Sequence, residues 1–188
     1  MYRLVLFSAV LYLAMGGSAW AIEPVNAIKQ ANYHFARGEY TETIKDLRDA
    51  LVGVWNQAPL VLDNVTWIKE APEGYGMYTP RENNVLNDAE PILLYMEPIG
   101  YTIKKSDGYY SFSLYADFSI IDSRGKIIGG MENFAQWQVK SRSVQTEYPI
   151  FCTFNFRQLA AGEYKLRVKL YDEFSKKTAT TTQTLVQE

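Results

Sequence analysis

After Ala58-Pro59 the hydrophobic period of this chain switches from about 3.6 residues to 2 and stays there to the C-terminus. "PILLYME" (91–97) sets Ile92, Leu94 and Met96 against Leu93, Tyr95 and Glu97. "SFSLYADFSII" (111–121) sets Phe112, Leu114, Ala116, Phe118 and Ile120 against serines, Tyr115 and Asp117. "DSRGK" (122–126) reads as a turn, and "IIGGMENFAQWQV" (127–139) returns, with a bulge expected at Gly129-Gly130. "PIFCTFNF" (149–156), "YKLRVKLYD" (164–172) and "KTATTTQTLV" (177–186) are further strands. With strand-like segments around 60–69 and 75–79 the count reaches about eight. No helical stretch separates them, so residues 59–188 are expected to form a mainly β, antiparallel sandwich.

Ahead of the switch the spacing is helical. "EPVNAIKQANYHFA" carries Val25, Ile28, Ala31 and Phe35 on one face, with Pro24 where a missing N–H costs nothing. Gly38 follows at a C-cap position. "EYTETIKDLRDALVGVW" then lines up Tyr40, Ile44, Leu47, Leu51 and Trp55. Residues 22–58 are therefore expected to be an αα-hairpin.

Ala31, Gly38, Tyr40, Ile44, Leu47 and Ala50-Leu51 resemble the central part of a tetratricopeptide repeat, with Thr43 where that family usually has Ala. One repeat cannot stack into a solenoid. The expected role is thus a hairpin packed on its own domain, with a partner-binding hairpin as the alternative. Further along, "LAAGEY" spaces Leu159, Gly162 and Tyr164 as in the tyrosine corner of Greek-key sandwiches. That stretch resembles the closing strands of immunoglobulin-like and fibronectin-type-III-like domains. The resemblance implies a fold and leaves the activity open. As a whole the chain resembles exported sandwich proteins of Gram-negative bacteria that begin with such a hairpin.

Export is also what the N-terminus implies. Arg3, the apolar run "LVLFSAVLYLAM" (4–15) and Ala19-Trp20-Ala21 follow the pattern of a signal peptide over residues 1–21. The run is shorter than the ~20 residues needed to span hydrocarbon. Cleavage would leave a chain with no membrane span, starting at Ile22, in the periplasm or secreted. That chain keeps 18 of the 19 basic residues against 21 acidic ones, a net charge of −3. No basic patch stands out, which gives nucleic-acid binding no electrostatic support.

Chemistry-bearing patterns are sparse. One His and one Cys cannot build a zinc site of N and S ligands. "NDAE" (87–90) and "DE" (172–173) lack the spacing of a calcium loop and fall at expected turns. His34 sits in a helix and is expected to be a polar, interhelical residue. Cys152 alternates inward with Ile150 and Phe154 and is expected to be buried. Neither a nucleophile elbow nor a phosphate loop is present. No cofactor, metal or catalytic residue is expected.

Aromatic surface is what remains. Of 14 tyrosines, Tyr95, Tyr101, Tyr109, Tyr110 and Tyr115 fall on outward strand positions or in loops. Tyrosine offers large contact area with a polar handle. If 91–97 and 111–121 share a sheet, Tyr95 and Tyr115 point outward on one face beside Leu93 and Glu97. The expected function is a non-catalytic interaction protein of the bacterial cell envelope. It would bind a protein partner or a second copy through Tyr95, Tyr115, Leu93, Glu97, Tyr101 and Tyr110, and through an exposed sheet edge. The alternative is a carbohydrate-directed protein, a glycan-binding module or hydrolase, using Tyr and Trp platforms with Glu97 or Glu82.

Overall fold

The computed structural model describes residues 24–86, 90–156 and 159–188, so the expected leader lies outside the described residues. Helices α1 (Pro24–Ala36) and α2 (Tyr40–Gln57) form the expected hairpin. Gly38 adopts φ 76° between them, and Glu39 N–H closes onto the His34 carbonyl at 3.0 Å. The seam between the helices is built from small side chains: Ala27 and Ala31 meet the side of α2 that carries Thr43 and Ala50, and all four are buried. His34 bridges the seam to Asp46 at 2.7 Å, the interhelical role expected of it.

The large apolar residues of the hairpin point elsewhere. Val25, Ile28 and Phe35 on α1 are exposed. So are Tyr40, Ile44, Leu47, Leu51 and Val54 on α2. The expectation that this stripe packs on the sandwich is therefore not met. Contact with the sandwich is made by the last turn of α2. Trp55 packs edge-on against Tyr101 with ring centroids 5.2 Å apart. Asn56 exchanges two hydrogen bonds with the Ile103 backbone, and Lys177 Nζ donates to the Asn56 and Gly100 carbonyls at 2.8 Å each.

The sandwich has a three-stranded sheet and a six-stranded one. The first runs β1 (Val61–Ile68), β3 (Ile92–Ile99), β7 (Ile150–Phe154), all antiparallel. In the second, β5 (Tyr109–Ile121) lies between β6 (Ile127–Ser141) and β8 (Gly162–Asp172). Beyond β8 lie β9 (Thr178–Gln187) and the two-residue β2 (Val85–Leu86), while β4 (Lys104–Ser106) pairs the start of β5. The core between the sheets is the expected alternation, with Ile92, Leu94 and Met96 facing Leu114, Val168 and Leu170. Cys152 is buried there, and burial pushes its thiol up to about 12. Tyr164 forms the corner: its hydroxyl donates to the Ala160 carbonyl at 2.8 Å.

Residues 75–79, expected to be a strand, form a turn instead, bridged at Gly74 and Met77. Of "NDAE" only Glu90 lies within the described residues.

Candidate partner-binding cleft

The six expected site residues do not share a face. Tyr95 and Tyr115 lie in different sheets, so the condition for one tyrosine face fails. Tyr95 and Glu97 do sit on the outer face of the three-stranded sheet, but the loop between β1 and β2 folds over them. Tyr78 lies on the Tyr95 ring with centroids 4.2 Å apart. Gly76 N–H donates to the Tyr95 hydroxyl at 2.8 Å, which donates to Glu97 at 2.6 Å. Asn64, held at φ 46° in a bulge of β1, donates to the other Glu97 oxygen at 2.6 Å. Tyr95 and Glu97 are thereby buried rather than outward, and burial with the adjacent carboxylate raises the phenols of Tyr95 and Tyr75.

Tyr101, expected in the contact set, is also buried. It sits between Trp55 and Phe112 and donates to the Gln145 carbonyl at 2.6 Å, and burial raises its phenol. Leu93 is half-buried beside Tyr95. Tyr110 is half-buried under Lys105, on a polar groove of about 660 Å³ between α2 and the loop after β6. Tyr115 alone matches the expected orientation closely. It stacks on Tyr171 on the outer face of the larger sheet, with centroids 4.7 Å apart and planes 3° apart. A hydrogen bond to Asp117, then burial, pushes the Tyr171 phenol up to about 12. The rest of that face carries Lys169, Arg167 and the threonines of β9, and it is polar.

The adjacent carboxylates Asp172, buried, and Glu173, exposed, serve the fold. Asp172 accepts from Thr102 N–H, Phe174 N–H and the Ser175 hydroxyl, and Glu173 accepts from the Ser113 hydroxyl. Glu82, named for the glycan alternative, is exposed and paired with Lys69 at 3.0 Å. Its surroundings, Lys69, Arg81, Asn83 and Glu90, are polar and contain no aromatic ring. Among the described residues no group of three or more His, Cys, Asp or Glu could hold a metal ion, and no helix is long and apolar enough to cross a membrane.

An apolar concavity lies at one side of the sandwich. At the opposite side the sheets are joined: Trp67 Nε1 reaches across from β1 to the Thr184 carbonyl of β9 at 3.2 Å. At this side the edge strands β6 and β7 part, and no described strand pairs their outer edges. The resulting cleft holds about 430 Å³. Its floor is an aromatic cluster, in which Phe118 meets Phe134 edge-on at 4.9 Å and Phe154 at 5.3 Å, and Phe156 stacks on Phe154. Its rim is Ile128, Gly129, Gly130 and Met131 on one side and Thr153 and Asn155 on the other.

Irregularity in β6 shapes that rim. Ala116 pairs Ala135 but Phe118 pairs Met131, so three residues of β6 oppose one of β5. Asn133 takes up the excess at φ 50°, its N–H held by Asp117 at 2.8 Å. A second irregularity leaves Ile128 unpaired, whereas Gly129 and Gly130, where the bulge is expected, pair Ile120 and Ser119 in register. Gly130 is needed for close approach: a Cβ there would lie 2.4 Å from the Phe118 carbonyl oxygen. The result is a rim that exposes Ile127, Ile128 and Met131 and carries no charge from 127 to 131. The exposed sheet edge expected from the sequence is thus the one at β6 and β7. The signal was present in "IIGGM", an uncharged apolar run without alternation.

No family model and no curated protein matches this chain. Among solved structures, CopC from Methylosinus trichosporium OB3b is similar at 16% identity, with a TM-score of 0.31, covering 66% of this chain and 94% of that one. Spo0M, a sporulation control protein from Bacillus subtilis, is similar at 9% identity and a TM-score of 0.31, covering 70% and 50%. A superoxide reductase (neelaredoxin) from Ignicoccus hospitalis gives 11%, 0.31, 70% and 84%. Likeness at these scores does not extend to function.

Proposed function

We propose that this protein is a non-catalytic interaction protein of the bacterial cell envelope, and that it takes an extended apolar segment of a partner protein into the cleft between β6 and β7. The observation that carries the reading is the pairing of an aromatic floor with two strand edges that no described strand occupies. An unpaired edge offers backbone N–H and C=O groups to an added strand, and a pocket beneath it selects alternate side chains. The uncharged rim suits an apolar guest and penalises a charged one. The pattern of residues 1–21 supports the envelope as the place of action. The non-catalytic part is supported by Glu97 and Asp172, which are committed to hydrogen bonds within the fold.

The test pairs Ile128→Asp with Met131→Asp in one variant. Both positions are exposed, so stability should move by no more than about 0.5 kcal/mol. Capture of the partner, with the contacting segment identified by cross-link mapping, should be lost in the variant. Unchanged capture, or a contacting segment that is charged throughout, would refute the reading.

A further inference from the structure

We infer that the exposed face of the helical hairpin is a self-association surface, covered by the same face of a second copy of this chain. Helix α1 buries only two alanines, and α2 buries Thr43, Ala50 and Trp55. Isolated helices of this length are marginal in water, and most helical stability in proteins comes from packing an apolar face. The hairpin therefore has its apolar layer in place, and the described residues leave it exposed. The two stripes are one surface, because Phe35 of α1 meets Tyr40 of α2 with ring centroids 5.9 Å apart.

The size of this surface favours a second copy. Its eight large apolar side chains are between 48% and 63% exposed. At on the order of 100 Å² each, they amount to roughly 800 Å² per protomer. That is about the area each partner contributes to a stable interface. A two-fold interface must be self-complementary. This face meets the condition, since the eight side chains of the stripe carry no charge, and several charges of the hairpin pair with one another. Arg37 pairs with Glu39, Lys45 with Glu42 and His34 with Asp46. Two copies would stack as a four-helix layer with Ile44 and Leu47 near its centre, leaving the cleft of both sandwiches free.

Sedimentation velocity of the protein as isolated from its host, at roughly 10 µM, tests the state at a concentration above the weakest dissociation constants of standard-size interfaces. Disulfide trapping then locates the contact. Leu47→Cys places a thiol near the proposed axis, and Thr180→Cys places one on the outer sheet face as a control, with native Cys152 buried in both. The expected results are a dimer, and a covalent dimer formed at least tenfold faster from Leu47→Cys than from Thr180→Cys. A monomer would overturn the inference. So would a dimer in which the two variants cross-link at equal rates, or a larger species that contains a different chain on the hairpin.

Discussion

Tyr95 donates its hydroxyl to Glu97 at 2.6 Å beneath a loop that places Tyr78 across its ring. Two side chains on outward strand positions are thus interior groups. Replacing Tyr95 with Ser would remove a buried ring and leave Glu97 short of a donor, at a cost of about 3 kcal/mol or more. Tyr115→Ser would lose one stacking partner on an open face, about 1 kcal/mol. Urea unfolding of the two single variants should separate them by at least that difference; equal midpoints would mean the loop does not cover Tyr95.

Burial raises the phenols of Tyr95 and Tyr101 above the ordinary 10.0. Folding therefore favours their neutral forms. Their contribution to stability is complete below pH 10 and declines as the pH rises past it, when the unfolded chain ionises and the folded one does not. Phenolate absorbance should show these tyrosines ionising only together with loss of structure. A titration in which every tyrosine ionises while the fold persists would contradict it.

The corner bond from Tyr164 to Ala160 is a single, nearly buried hydrogen bond. Tyr164→Phe should lower stability by about 1 kcal/mol without changing the circular dichroism spectrum. An unchanged denaturation midpoint would show that the hydroxyl contributes nothing.

Gly130 sits so close to β5 that a Cβ would press on the Phe118 carbonyl. Gly130→Val should force β6 away from β5, costing about 1–3 kcal/mol. Hydrogen exchange should show the added opening in residues 127–135 and not in β8 or β9. Uniform loss of protection across the sheet would place the strain elsewhere.

Much of the fold was legible because alternation records which face of a strand meets the core: Ile92, Leu94, Leu114 and Cys152 are all inside as expected. Tyr164 was legible because its bond is local, four residues long. Tyr95 and Glu97 were misread because alternation says which face of a sheet a residue takes, and not whether a loop such as 69–80 covers that face. Tyr95 and Tyr115 were placed together because sheet membership depends on long crossovers that leave no periodic trace. The hairpin stripe was assigned to the core because large apolar residues usually define it. Here the close approach of α1 and α2 selects alanines for the seam and turns Ile44 and Leu47 outward.

The central claim, that the cleft between β6 and β7 receives a partner's apolar segment, is tested most directly by a photo-crosslinking side chain at Met131, compared with one at Thr180, in the native host. Met131 lines the cleft, while Thr180 lies on the polar outer face beside Lys169. The expected result is an adduct from position 131 alone, whose digestion maps to an extended apolar stretch of another protein. Adducts of equal yield from both positions, or an adduct from position 180 only, would contradict the claim.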